Sequence, residues 1–247
     1  MARTLGNFGT SSGFSAARSQ PPNGRVNELD LGDNLRKYLE DRWPNERYAS
    51  FDYCFNYFQS FREAGAIPAL ASPANLQVSA LQLGFYLASW GMLRGSAELL
   101  QKSAKYLVPV VEVISCTKVS VWEIDADSYN ESNVQHVCEL ARTIRCAYPA
   151  MSDTLVTKIM LGVFGNVPAF DTNFKRGFGV STFGPKALRK VGCFFRDNAA
   201  VIDAHRVKTL DFISGDQTHR RYTRAKVIDM AFFIEGMART TSAPVVG

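Results

Sequence analysis

Residues 167–179 read VPAFDTNFKRGFG. One carboxylate, Asp171, stands between a proline-led approach and two cations, Lys175 and Arg176. A carboxylate held beside a reacting centre can stabilise developing positive charge or take a proton from water, while neighbouring cations hold a polyanion in place. The same spacing makes Asp171 a helix N-cap. Its side chain would then accept the backbone N–H of Asn173 or Phe174, worth about 1 kcal/mol, with Pro168 setting the loop and Phe170 and Phe174 filling the core. The residues alone leave both readings standing.

Three other stretches gather chemically useful side chains. FGPKALRK (183–190) puts Lys186, Arg189 and Lys190 near a Gly-Pro helix start, which suits a phosphate and equally an ordinary first turn. DQTHRRYTRAK (216–226) interleaves Tyr222 with His219, Arg220, Arg221, Arg224 and Lys226. That pattern fits a nucleic-acid face or the solvated start of a helix. SWGMLRGS (89–96) places Trp90 and Arg94 four residues apart, on one helical face. Arg94 in so apolar a helix needs an anion or Glu98, four residues on. His205 and His219 have no carboxylate or nucleophile at triad spacing, and neither a P-loop nor H-E-x-x-H occurs. His136 and Cys138 lie two apart on a helix and point to different faces, so no metal site is expected, and no cofactor.

VPAFDTNFKRGFG resembles the segment around the essential aspartate of helix-hairpin-helix DNA glycosylases, which follows a pattern like V/L-x-D-x-x-V/F-x-R. Asp171 takes the aspartate position, Phe174 the apolar position, and Arg176 the basic position near phosphate. SDTLVTKIML (152–161) takes the place of the helix that leads in, so the resemblance covers residues 152–179. The family's L-P-G-[VI]-G hairpin, which donates N–H groups to phosphate, is absent before Lys158, where AYPAMSDTLV stands. The Lys158–Asp171 spacing is also shorter than the family's, so Lys158 is not carried over as a Schiff-base nucleophile. The resemblance implies a DNA or RNA partner and a base drawn out of its stack. Asp171 would be the catalytic carboxylate, working without a lysine. Trp90, Phe170, Phe174 and Phe178 would supply an aromatic wall, and Lys175, Arg176, Lys186 and Arg189 would hold the backbone. Two alternatives stand beside it. One is a small-molecule or nucleotide hydrolase or transferase using Asp171 with Arg94 or Arg176. The other is a helical interaction module without chemistry.

The elements that must position these residues read as helices. The chain has 247 residues, 46% of them apolar and 12% aromatic, enough for a bulky core. Net charge is +5, but residues 171–226 hold twelve Lys/Arg against five Asp, leaving that basic third at +7 and the remainder at −2. Such a distribution is the footprint of a polyanion partner or a solvated helical surface. Apolar spacing predicts helices after Asp33, over residues 46–65, after Asn130 or Ser132, from Ser152 or Asp153 to Gly162 or Gly165, from Pro185, and through Val227 to Ile234. Leu76–Leu93 is apolar on nearly all faces and is expected to be central, with Gly84, Gly91 and Gly95 at close helix contacts. VSVWEI (119–124) reads as a short isolated strand. No repeat occurs, and no strand–helix alternation. The expectation is an all-α protein: a disordered tail over 1–27, a single helical domain over 28–239 with about eight or nine helices, and a frayed end over 240–247. No apolar run reaches the roughly 18 residues of a membrane span. Five scattered cysteines read as mostly buried, reduced thiols of a cytoplasmic protein.

Overall fold

The computed structural model describes residues 28–95, 97–148 and 151–241. Its first helices are α1 (Glu28–Glu40), α2 (Ser50–Glu63), α3 (Leu76–Ser89), α4 (Val108–Ser115), α5 (Val119–Trp122) and α6 (Glu131–Ala147). There follow α7 (Asp153–Phe164), α8 (Thr172–Phe178), α9 (Pro185–Asp197), α10 (Ala199–Ala204), strands β1 (Lys208–Leu210) and β2 (Gln217–Arg221), and α11 (Arg224–Thr241). The fold is therefore all-α apart from one hairpin, with more helices than the periodicity separates. The additional ones are short pieces. The tail expected over 1–27 lies outside the described residues. The C-terminal fraying expected from residue 240 does not begin there, since α11 reaches Thr241; residues 242–247 lie outside the description.

Capping chemistry sets the ends. Asn130 accepts the Asn133 N–H at 2.9 Å and starts α6. Ser152 accepts that of Leu155 at 3.2 Å and starts α7, which Gly165 closes at φ +66°. Every residue from Leu155 to Phe164 is buried, so α7 is the central helix. The expectation that Leu76–Leu93 fills that place is corrected. α3 buries Ala80, Leu83, Tyr86 and Leu87 but leaves Val78, Leu81 and Phe85 exposed. It stops at Ser89 because Gly91, just after the Trp90 cap, turns the chain at positive φ; Gly95 turns it again, and neither glycine packs against a helix.

α8 lies directly on α11, backbone to backbone. A methyl group on Gly236 would overlap the Asn173 carbonyl oxygen and stand 2.8 Å from Asn173 Cα. One on Gly177 would overlap the Phe232 carbonyl oxygen. Two glycines thus let α8 sit where no larger residue would.

Two further expectations are corrected. VSVWEI is a helical turn, α5, whose Trp122 is buried. Of DQTHRRYTRAK, read as a helix entry, only the last three residues begin one, at Arg224. Residues 217–221 pair antiparallel with β1, in the register Lys208↔Arg221 and Leu210↔Gln217. Asp211 closes the turn by accepting the N–H groups of Ile213 and Ser214, each at 2.9 Å. The hairpin is fixed to α2 through Asn56, which donates to the Leu210 carbonyl at 2.8 Å. Of the cysteines, only Cys54 is buried; Cys116, Cys146 and Cys193 are exposed. Among the described residues, no helix is long and apolar enough to cross a membrane.

Candidate active site

Asp171 is a cap and more than a cap. It sits in extended conformation before α8, and its Oδ1 accepts the Phe174 N–H at 2.9 Å. Its Oδ2 accepts from Lys158 Nζ at 3.0 Å. Lys158 projects from central α7 and is itself buried, with 4% of its surface exposed.

The loop between the two residues is tied at Gly165, Asn166, Ala169 and Phe170. Thr223 donates to the Gly165 carbonyl and Tyr129 to that of Asn166. Asp229 Oδ1 accepts the Ala169 N–H at 2.9 Å, and Thr157 Oγ1 accepts that of Phe170 at 2.8 Å. Thr154 donates to the Phe170 carbonyl at 3.1 Å. These five backbone bonds hold the loop, and with it Asp171, in place.

Lys158 and Asp171 open onto a cavity of about 300 Å³. Trp90, at the end of α3, forms an aromatic wall. Tyr48 and Phe233 meet its ring edge-on at 5.4 and 5.7 Å, and Tyr38 lies parallel at 6.5 Å. Thr154, Thr172 and Asn173 add neutral polar groups. Arg47, from the turn before α2, and Arg94 complete the cationic side; both are exposed. Lys158 Nζ stands 5.2 Å from the Trp90 ring centre.

A second lysine–aspartate pair lies behind the indole. Lys226 Nζ bonds to Tyr38 Oη at 2.9 Å and Asp229 Oδ2 at 3.1 Å, fully enclosed. Burial lowers the Lys226 ammonium from its ordinary value and raises the Asp229 carboxyl, while their mutual attraction opposes both shifts. Because Asp229 also holds Ala169, this inner pair braces the loop that carries Asp171.

The structure brings Trp90, Arg94 and Asp171 together, although about 80 positions separate the first from the last. The assignment of Phe170 and Phe174 to the pocket wall is corrected: both are 0% exposed and pack with Phe178 and Phe183 in the core. The Glu98 side chain, the alternative partner of Arg94, lies outside the described residues.

The predicted cationic face is broken up. Arg189 is bidentate to Glu131, at 3.0 and 2.7 Å. Arg220 is bidentate to Glu63, at 3.0 and 2.6 Å. Arg224 meets Asp127 at 3.1 Å and Asp203 at 2.9 Å, and Arg221 donates to the Arg206 carbonyl. Arg220, Arg221 and Arg224 surround a different cavity, shared with Glu123, Asp125 and Asp127. Arg176 donates to the Gly236 carbonyl and Thr240. Lys175 is half-buried on α8 and Lys186 is exposed on α9.

Sequence reasoning set Lys158 aside and missed Arg47. Lys158 did carry a signal: a lone cation in DTLVTKIMLGVF, a helix apolar on every face, needs a buried anion. Arg47 carried none. Among the described residues, no cluster of three or more His, Cys, Asp or Glu could hold a metal ion. No protein-family model matches the chain, and no curated protein or solved structure is significantly similar to it. Fold and site alone define the class: a helical protein with a Lys–Asp pair in a cationic, aromatic-walled cavity.

Proposed function

We propose that the protein binds nucleic acid, takes one unstacked nucleotide into the cavity beside Trp90, and cleaves its glycosidic bond with Asp171. The observation that carries this reading is the division of labour in one carboxylate. One Asp171 oxygen is fixed by the Phe174 N–H, and the other meets Lys158 at 3.0 Å at the cavity wall. A cavity of about 300 Å³ is at the lower end for small-ligand sites and suits one ring with part of its sugar.

The chemistry balances as a hydrolysis. Water attacks C1′ of the sugar and gives its proton to Asp171. The C1′–N bond breaks, and its electron pair leaves with the base nitrogen. The Lys158 ammonium protonates that nitrogen, and the Asp171 proton returns to Lys158 along their hydrogen bond. The products are the free base and the sugar hemiacetal. While the bond breaks, the carboxylate stabilises the positive charge that develops on the sugar. The contact with Lys158 also favours a second route, in which Asp171 takes the Lys158 proton and the free amine attacks C1′. The C1′–N bond to the base breaks with its electron pair leaving on the base nitrogen, and that nitrogen takes the proton from Asp171. The sugar ring then opens, its ring oxygen taking a proton from the attached amine, to leave an imine on Lys158. Borohydride reduction distinguishes the two, because only the amine route leaves a trapped covalent complex.

Lys175, Arg176 and Lys186 are the candidates for backbone contact; Arg189, Arg220 and Arg224 already hold carboxylates. A cytoplasmic location accords with exposed, free thiols at Cys116, Cys146 and Cys193.

The test is binding to short single- and double-stranded DNA and RNA across a salt series, followed by abasic-site detection on strands carrying single modified bases. The expected result is binding that weakens steeply with salt and in Arg176→Ala, and base release that is lost in Asp171→Asn while binding persists. Absence of binding at low salt defeats the reading. Turnover of free nucleosides without any polymer would replace it with a small-molecule hydrolase.

A further inference from the structure

We infer that the cavity admits an electrically neutral base and discriminates against a cationic, ring-N-alkylated one. The inference rests on the nucleotide reading above and names the substrate class of that site. It comes from the charges around Trp90. Three cations already surround the indole, with Lys158 at 5.2 Å and Arg47 and Lys226 at 5.5 Å from its centre. An isolated indole attracts a cation through its electron-rich face. Here that attraction is already used three times over.

The lining charges point the same way. Among the described residues, Arg47, Arg94 and Lys158 face the cavity against one carboxylate, that of Asp171, an excess of two positive charges. That carboxylate is itself engaged by Lys158. Lys226 below the ring is offset by Asp229, so the inner pair adds no negative potential. A cationic ring lying on Trp90 would meet repulsion from the walls and, among the described residues, no free anion. Departure of the base sharpens the contrast. A neutral base leaves with the bond's electron pair and develops negative charge beside Lys158, Arg47 and Arg94. A cationic base leaves neutral and gains nothing from them. Arg47 and Arg94, both exposed at the cavity, also stand where a flanking phosphate can be held.

The experiment compares single-stranded oligonucleotides with one central site, either hypoxanthine or uracil as neutral rings, or 7-methylguanine as the cationic one. Binding and base release are measured with wild type, Trp90→Ala and the double variant Arg47→Ala/Arg94→Ala. The expected result is at least about tenfold preference for the neutral rings, the scale set by one unit charge near an uncompensated pair. That preference should shrink in the double variant, whose two sites are on the surface. Equal or stronger action on 7-methylguanine overturns the inference and leaves the nucleotide reading intact. Binding that is the same for all strands, unchanged by Trp90→Ala and without release of any base, overturns both.

Discussion

Replacing Asp171 separates its two roles, because asparagine keeps one and loses the other. Asn is as good an N-cap as Asp, so Asp171→Asn should retain the bond to the Phe174 N–H and the start of α8. It removes the charge 3.0 Å from Lys158, whose side chain is only 5% exposed. Breaking a fully buried pair from one side costs about 3–5 kcal/mol. Asp171 is 15% exposed and the cavity admits water, so the loss should be smaller, about 2 kcal/mol. Asp171→Ala forfeits the cap as well and should cost about 1 kcal/mol more. Lys158→Met leaves a carboxylate that water can reach, a milder defect. In the double variant Lys158→Met/Asp171→Asn no unpaired charge remains. The double-mutant cycle in urea denaturation should therefore show a coupling of about 1–2 kcal/mol. Strict additivity would refute the pair as an energetic unit. An Asp171→Asn loss equal to that of Asp171→Ala would locate all the cost in the charge and none in the cap.

Two other outcomes follow from the packing and from burial. Gly→Ala inside a helix ordinarily stabilises by roughly 0.5–1 kcal/mol. Gly236→Ala should reverse that sign and cost at least about 2 kcal/mol, since its methyl overlaps the Asn173 carbonyl. Displacing α8 should also weaken any cavity ligand, and a more stable Gly236→Ala protein would refute the close contact. Asp52 is fully buried against Arg42, at 2.9 and 2.7 Å, and burial raises its carboxyl from 3.8 to about 6. Between those values the folded protein holds a proton that the unfolded chain has lost. The contribution of Asp52 is thus fully present below pH 3.8 and is lost as pH rises to about 6, a change of about 3 kcal/mol. Urea midpoints of wild type and Asp52→Asn, compared from pH 4 to pH 7, should show that difference falling and then levelling; a flat difference would mean that Arg42 keeps Asp52 ionised throughout.

Much of this architecture was legible because local chemistry dictated it. Asn130 or Ser132, Ser152 or Asp153, and Asp171 announced helix starts, and Gly162 or Gly165 announced a stop; Asn130, Ser152, Asp171 and Gly165 are the ones that act so. The hairpin was hidden, since β2 is held by a partner strand and by Glu63 on α2, neither visible in a stretch of alternating cations. Centrality was misplaced for a related reason. Periodicity counts apolar residues but not their neighbours, so α3 looked more buried than α7. That lysine is where local reasoning and the fold part company. A cation in the most buried helix is unfavourable unless an anion is delivered to it, and the loop through Asn166–Phe170 delivers Asp171. The loop is held there by Asp229, which is in turn paired with Lys226. A buried apolar pair would fill the same space without requiring two compensated charges. A helix that needed only a cap at Asp171 would have no use for Lys158. The pair and its brace behind Trp90 together keep a carboxylate in one position at the wall of a cavity, which is what the proposed cleavage beside a bound ring would require.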